Sequence, residues 1–231
     1  MKKAIIVILA VIMALSAAAC GSKNGKSGSS GAGSGKNGFV GDTITFGKYE
    51  QDNDPSNGKE DIEWIVLAKE GDKALIISKY ALDCQQYHLV WGDITWETCF
   101  LREWLNGTFL NTAFSADEQN RICNSIVTAD KSPGYSVFAG NNTTDKVFLL
   151  SVTEVDRYFN SVEARKCVST DYAIAQGVQT NSKTYCFWWL RSSSDSSGRA
   201  AVVGSGGLIS DHVIRTGDAA VRPAMWIKIG S

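Results

Sequence analysis

The feature that most restricts the fold is a tract from Gly21 to Gly38 that contains only Gly, Ser, Lys, Asn and one Ala. Such a segment has no large apolar side chains whose burial could offset the entropy lost when a chain becomes ordered. We therefore predict a flexible linker, with a root-mean-square reach of roughly 20 to 25 Å. Every packed element must then come from Phe39 onward.

The residues before this tract have the layout of an export signal. Residues 1–19 have two lysines directly after Met1, continue with an apolar run from Ala4 to Leu15 and end with small residues. The run is shorter than the roughly 20 residues that a membrane-spanning helix needs, which favours a processed signal peptide.

Cys20 directly follows three alanines, and this arrangement resembles the lipobox of bacterial lipoproteins. The resemblance implies that Cys20 receives a diacylglycerol and becomes the new N-terminus. One position departs from the pattern, because Ala17 stands where these lipoproteins usually have a branched residue. We predict a lipidated Cys20 followed by the linker over residues 20–38; ordinary signal cleavage near Ala19 is the alternative.

The nearly neutral composition combines two different charge distributions. The whole chain has a formal net charge of −1, but residues 39–231 hold 18 basic and 24 acidic residues, a net charge of −6. A nucleic acid binds to a basic footprint on its protein partner. The body supplies no such excess, so we predict no nucleic-acid partner.

The body, residues 39–231, is predicted to be a single α+β domain. Strands are predicted over residues 43–46, 62–68, 73–78, 146–151, 185–190, 200–203, 208–214 and 219–229. Helices are predicted between residues 99 and 114, after a capping box at Ser115, from a cap at Thr153 through Phe159, and from Thr170 to Gln176. Two turns predict hairpins, Lys69–Asp72 and Gly204–Gly207. The C-terminal third is thus predicted to be an antiparallel sheet. The lack of strand–helix–strand alternation argues against a parallel doubly wound sheet.

Six short motifs follow one another along the body. They are Phe46–Tyr49, Ile62–Leu67, Leu101–Asn106, Asp145–Ser151, Trp188–Ser192 and Val221–Ile227. In this order they resemble an uncharacterised bacterial domain family, a domain of unknown function, over about residues 42–229. The resemblance implies a C-type-lectin-like fold, in the branch that includes the formylglycine-generating (sulfatase-modifying) enzymes and the variable ligand-binding proteins of diversity-generating retroelements.

In binding proteins of that branch, the C-terminal sheet and its loops form the working surface. The resemblance therefore directs attention to the segment from Trp188 to Arg222, where serine-rich loops alternate with aromatic residues. Such surfaces suit a sugar ring or a peptide, although serine-rich turns also simply solvate hairpin ends. The candidate ligand-binding residues are Trp189, Arg191, Ser193, Asp195, Arg199, Ser205, Asp211, His212 and Arg215.

Three of the residues in this segment have competing interpretations. Arg191 can pair with buried acidic or carbonyl groups, which we favour, or grip a carboxylate or sulfate of a ligand. Trp188 and Trp189 are neighbours on a predicted strand and should point to opposite faces. Burial in the core is favoured for each of them, and the alternative is that one packs inside while the other faces a surface groove.

Neither catalytic pattern of the related enzymes is present. The copper-dependent enzymes use two closely spaced cysteines, whereas Cys167 lies nineteen positions before Cys186. The related iron enzymes need several histidines, and this chain has only His88 and His212. We therefore predict no catalytic residues, no metal and no cofactor. The acidic stretch from Glu50 to Asp61 does not fit the EF-hand spacing and is predicted to be an exposed insertion, with calcium binding as the alternative.

Besides Cys20, the chain has five cysteines: Cys84, Cys99, Cys123, Cys167 and Cys186. Export permits disulfides, but five is an odd number and pairing cannot be read from spacing, so it stays open.

The sequence thus predicts an exported protein, lipid-anchored to the outer face of the bacterial cell membrane. Its predicted role is to bind a glycan or a protein through the loops of the C-terminal sheet. The alternatives are an envelope enzyme related to the formylglycine-generating enzymes with an altered active site, and a structural module of a surface assembly.

Overall fold

The structure is a computed structural model that describes residues 40–133, 137–182, 184–194 and 196–230. The predicted signal peptide, Cys20, the linker and Asp195 lie outside these residues. The described residues all belong to one compact unit. None of the helices in this part of the chain combines the length and apolar character that crossing a membrane requires.

The described chain contains short helices and many strands. The strands are β1 (Thr43–Tyr49), β2 (Glu60–Glu70), β3 (Lys73–Ser78), β4 (Asp83–Cys84), β5 (Ser125–Val127), β6 (Thr143–Asp145), β7 (Trp188–Ser193), β8 (Arg199–Val203), β9 (Ile209–Val213), β10 (Ala220–Val221) and β11 (Ala224–Lys228). The helices are α1 (Phe100–Trp104), α2 (Leu110–Ala113), α3 (Ala116–Arg121), α4 (Val152–Tyr158), α5 (Val162–Arg165) and α6 (Asp171–Ala175). A 3₁₀ turn over Trp96–Thr98 precedes α1, and a π-helical turn over Leu105–Phe109 joins α1 to α2.

Two larger sheets and one small ribbon organise these elements. The first sheet has the strand order β1-β2-β3-β11, with antiparallel neighbours throughout. The second has the order β4-β10-β7-β8-β9 and is antiparallel except where β10 runs parallel to β7. Strands β5 and β6 pair with each other. Mostly antiparallel sheets with a few short helices confirm the α+β class.

Elements with local signals form where the sequence predicts them. Strands β2 and β3 are a hairpin whose turn includes Gly71 at a φ of 58°. Ser115 and Glu118 form the predicted capping box of α3, and Thr170 caps α6 by accepting from the N–H of Ala173. The turn between β8 and β9 occupies the predicted Gly204–Gly207.

The predicted strand over residues 146–151 is wrong. Its apolar side chains, Val147 to Leu150, are all buried, but its backbone pairs with two different sheets. Phe148 exchanges two hydrogen bonds with Ala224 of β11 (2.8 and 2.9 Å), while the carbonyl of Leu150 accepts from the N–H of Arg191 on β7 (3.0 Å). A continuous apolar run marks a buried segment without saying which backbone it will pair with.

The next element also begins differently from the prediction. The cap of α4 is Ser151, not Thr153, and its hydroxyl accepts from the N–H of Glu154 while the Glu154 carboxylate accepts from the N–H of Ser151. The helix therefore starts two residues earlier than predicted.

The C-terminal strands differ from the prediction in two places. Strand β7 begins at Trp188, three residues later than expected, and continues through Ser193. The predicted strand over 219–229 is interrupted at Arg222 and Pro223, and its halves, β10 and β11, belong to different sheets. Pro223 lacks a backbone N–H and occupies this crossing point, so it lies at a strand end as predicted.

The expectation that Trp188 or Trp189 faces a surface groove is wrong, because both are fully buried. They do point to opposite faces of β7, but both faces are covered. Trp188 packs against Phe159 after α4, with 6.4 Å between ring centroids. Trp189 packs against Tyr87 and His212 on the other face.

Candidate functional site

The candidate site lies where β7 ends and β8 begins, at a turn whose described residues are Ser194 and 196–199 and which is called the 194–199 turn below. Asp211, on the neighbouring strand β9, organises this turn. One of its carboxylate oxygens accepts from the hydroxyl of Ser194 (2.7 Å) and the other from Nε of Arg199 (2.9 Å). Both Asp211 and Arg199 stay half-buried. A partly solvated carboxylate is thus held in one orientation at the surface.

A cleft of about 250 Å³ opens beside this carboxylate. Its lining comes from the segment before residue 134, from α4 and from the second sheet. The lining residues are Ser132, Pro133, Val152, Asp156, Ser194, Ala201, Ile209, Ser210 and Asp211. Apolar side chains are thus combined with hydroxyl and carboxylate groups. Because ligand pockets for drug-sized molecules span roughly 300 to 1,000 Å³, this cleft suits one small group, such as a single sugar ring or a side chain.

Arg191 has the structural role that the sequence interpretation favours. Its side chain is buried, and its guanidinium makes a bidentate contact with the carboxylate of Glu154. It also donates to the carbonyls of Leu149 (2.8 Å) and Thr128 (3.1 Å). Arg191 therefore fixes α4 against β7 and so positions one wall of the cleft.

Ser193 lies beneath the surface. Its carbonyl accepts from the hydroxyl of Ser132 (2.9 Å), which holds the 132–133 segment of the cleft against β7. Its own hydroxyl is buried and has no hydrogen-bond partner among the described residues. Ser193 contributes to the framework of the cleft and is not one of its lining residues.

Trp91 is the surface residue that sequence reasoning missed. Of the seven tryptophans it is the exposed one, with 59% of its surface accessible, whereas the other six are buried or half-buried. Its indole lies against Gly198, because a Cβ built on that glycine would come within 2.7 Å of the ring. The N–H of Gly198 also donates to the carbonyl of Gly92 (3.1 Å), which joins the two loops.

The sequence carries one signal that could have found Trp91. Leu89, Val90 and Trp91 form an apolar run in a segment with neither helical nor strand periodicity, directly before Gly92 and Asp93. All three side chains are exposed in the structure. An apolar run outside any periodic element is a candidate for contact with a partner.

The remaining predicted residues are distributed around the sheet. The ring of His212 stacks on that of Phe187, with 5.7 Å between the ring centroids. Its Nε2 lies 2.8 Å from a carboxylate oxygen of Asp218. Arg215 is exposed in the loop after β9, at the same end of the sheet as the 194–199 turn. Ser205 lies in the turn at the opposite end of β8 and is not one of the residues that line the cleft.

Trp189 does not reach the surface at all. Its indole N–H donates to the carbonyl of Gln85 (2.9 Å) inside the core.

The acidic stretch is an insertion between β1 and β2, as predicted. Carboxylate oxygens of Glu50, Asp52 and Glu60 lie within 4.8 Å of one another. Several of these oxygens already accept backbone N–H groups, including that of Gln51 at 2.6 Å and that of Asp54 at 2.9 Å. The cluster has an evident role in holding the insertion together.

A family comparison identifies the domain. Residues 71–229 match the family described as Domain of unknown function (DUF6273). The chain belongs to this family. The match begins in the turn between β2 and β3 and includes every residue of the cleft, but it leaves out the motifs Phe46–Tyr49 and Ile62–Leu67. No curated protein and no solved structure matches the chain.

Proposed function

We propose that this DUF6273 protein is an exported, lipid-anchored binding protein that recognises a glycan or a protein at the 194–199 end of its second sheet. One observation carries the proposal: the exposed indole of Trp91 is seated on Gly198, in the same turn as Ser194, which lines the cleft beside Asp211. An exposed aromatic beside ordered hydroxyl and carboxylate groups is a common arrangement for recognition.

The chemistry of the cleft supports binding more than catalysis. Its carboxylate at Asp211 is engaged by Ser194 and Arg199, so these groups orient one another. Asp211 already accepts two hydrogen bonds, which suits a fixed acceptor in a binding site.

The finer fold assignment belongs to this proposal. A C-type-lectin-like domain is supported by the order of the sequence motifs and by two mostly antiparallel sheets that are joined by short helices. In such a domain the working surface lies on the loops of the C-terminal sheet, and the loop residues Ser194, which lines the cleft, and Gly198, which contacts Trp91, belong to that sheet in this chain.

The anchoring part of the proposal rests on residues 1–20 alone. Metabolic labelling with a palmitate analogue tests it, with wild type compared with Cys20→Ala. We expect the label on the wild-type chain in the membrane fraction and none on the variant. An unlabelled wild-type chain would refute the lipid anchor while leaving the binding surface unaffected.

The ligand class is tested with the soluble chain of residues 39–231. A glycan array and a pull-down from envelope extract, run in parallel, distinguish a sugar from a protein. Trp91→Ala should abolish the signal in whichever assay is positive. Ile126→Ala is the control, since Ile126 is also an exposed apolar residue and lies on β5, outside the cleft. Equal binding by wild type and Trp91→Ala would reject this surface.

A further inference from the structure

Two buried cysteines face each other across a short antiparallel contact. Val168 and Tyr185 form an isolated antiparallel bridge, and Cys167 and Cys186 are the next pair along it. The N–H of Cys186 donates to the carbonyl of Cys167 at 3.0 Å, and the Cys186 sulfur lies 3.5 Å from the same oxygen. Directly opposed residues in such pairs have Cα atoms about 4.5 to 5.5 Å apart, which is within the range of about 4.4 to 6.8 Å that disulfides require.

Other cysteines are held in different surroundings. The thiol of Cys84 lies 3.2 Å from the carbonyl of Gly217. The sulfur of Cys99 accepts from the N–H of Arg102 at the start of α1 (3.4 Å). Cys123 follows α3, and its N–H donates to the carbonyl of Trp226 on β11. Backbone pairing therefore distinguishes Cys167 and Cys186, which spacing in the sequence does not.

The surroundings of this pair also suit thiol–disulfide exchange. Burial raises the pKa of Cys167, but a hydrogen bond from Cys186 and the positive charge of Arg222 outweigh it, so the pKa lies below its usual value. The hydrogen bond to Cys167, together with burial, raises the pKa of Cys186. Nη1 of Arg222 is buried and has no hydrogen-bond partner in the described part of the chain, so a nearby negative charge would be stabilised there. One thiolate beside one thiol is the reactive combination for exchange.

We propose that Cys167 and Cys186 form a disulfide, with the oxidised disulfide of a thiol oxidant as the electron acceptor. The Cys167 thiolate attacks one sulfur of that disulfide, forms a mixed disulfide and releases one thiolate, which takes up a proton. Cys186 then loses its proton and attacks the Cys167 sulfur, which releases the second thiol. Two electrons and two protons pass from the cysteine pair to the oxidant.

The timing follows from burial. Both side chains are almost completely inaccessible in the folded chain, so the exchange takes place when an otherwise folded chain opens locally at this contact. Oxidation in the cell rests on the export that we propose above, because disulfides persist in oxidising compartments. The bond would close a loop that contains α6 and restrict the unfolded chain, which corresponds to a roughly 100-fold shift of the folding equilibrium toward the native state.

The test refolds the full chain in detergent, once in a mixture of reduced and oxidised glutathione and once with excess reductant. Free thiols are alkylated after denaturation, and the peptides are mapped by mass spectrometry. We expect one bond, between Cys167 and Cys186, in the oxidised sample, with Cys84, Cys99 and Cys123 alkylated in both. Alkylation of Cys167 and Cys186 in the oxidised, folded sample, or pairing of either with another cysteine, would overturn the proposal.

Variants add a second measurement. The urea midpoint of the wild type should be higher after oxidation, and Cys186→Ala should remove this difference, whereas Cys84→Ala should keep it. A redox-dependent midpoint that persists in Cys186→Ala would also overturn the proposal. The peptide mapping is carried out on the wild-type chain, so its result does not depend on whether a variant folds. Because glutathione supplies the oxidant, the result does not depend on export, and failure of the palmitate test would leave it unaffected.

Discussion

Gly198 is the residue on which the geometry of the candidate surface depends. Its φ of 73° is in the left-handed region, which residues with a Cβ adopt only at a cost. Its lack of a side chain also lets the Trp91 indole lie directly on the backbone. Conformation and contact therefore both require glycine at this position.

We predict that Gly198→Ala lowers the free energy of unfolding by about 1 kcal/mol and weakens ligand binding at least tenfold, because the new methyl group displaces Trp91. Gly206→Ala is the control, since a Cβ there would meet no atom within 4 Å. Urea unfolding and a binding titration measure the two effects. Retention of full affinity in Gly198→Ala would show that the position of Trp91 does not matter.

The contact between Arg191 and Glu154 allows the loss of a buried ion pair to be compared with the loss of an exposed one. Glu154→Ala leaves the buried guanidinium without its bidentate partner, and we expect a loss of about 3 kcal/mol or more in urea unfolding. The control is Glu163→Ala, which removes an exposed pair with Lys166 and should cost less than about 1 kcal/mol. Similar small losses for both variants would contradict the structural role given to Arg191.

Asp218 provides a pH-dependent test. Burial raises the pKa of Asp218, but the hydrogen bonds with His212 and Thr216 and the electrostatic interaction with His212 together lower it by more, so the folded-state pKa is below that of a free aspartate. The ionised Asp218 carboxylate therefore contributes its full amount to the free energy of unfolding above the ordinary pKa of about 3.9. This stabilisation is lost as the pH falls through the lower folded-state pKa.

Asp218→Asn should consequently be about 0.5 to 1 kcal/mol less stable than wild type at pH 7 and equally stable near pH 2. Urea unfolding at the two pH values checks this. A difference that stays constant between them would mean that the Asp218 charge is not involved.

At the scale of elements, local signals were enough for the first hairpin, the cap of α3 and the cap of α6. Each depends on residues within a few positions of one another, so the sequence alone specifies it. The 146–151 segment and the break at Arg222 and Pro223 depend on which sheet each piece pairs with. Pairing of this kind is decided by the whole core and leaves no periodic trace in the sequence.

The residues of the candidate site also divide into those that the sequence predicts and those that only tertiary packing brings together. Arg199 and Asp211 were predictable because they lie on neighbouring strands of one predicted sheet. Asp156 comes from α4 and Trp91 from the loop before α1, and both reach the site only through tertiary packing. Trp189 was placed at the surface because alternation along a strand does not reveal whether both faces are covered.

The two capping boxes provide a matched pair of tests. Ser151→Ala removes the cap of α4 and Ser115→Ala removes that of α3, and each should cost about 1 kcal/mol in urea unfolding. Only Ser151→Ala should weaken ligand binding, because α4 carries Val152 and Asp156 into the cleft. An equal loss of affinity in both variants would indicate a general effect of stability and not of cleft geometry.

At the scale of the whole molecule, the proposed recognition surface is assembled from distant parts of the chain. Trp91, Asp156 and Asp211 come from three separate regions of one compact unit. None of them can form the surface without the others, so binding should require the intact fold and disappear together with it.

The most direct test measures the affinity of residues 39–231 for the ligand that the array or the pull-down identifies. The test variant carries Ser194→Ala, Ser210→Ala and Asp211→Ala, and the control carries Ser205→Ala, at the other end of β8. We predict at least a tenfold loss of affinity for the test variant and wild-type affinity for the control. Wild-type affinity in the triple variant, with its fold intact by circular dichroism, would contradict the assignment of this surface.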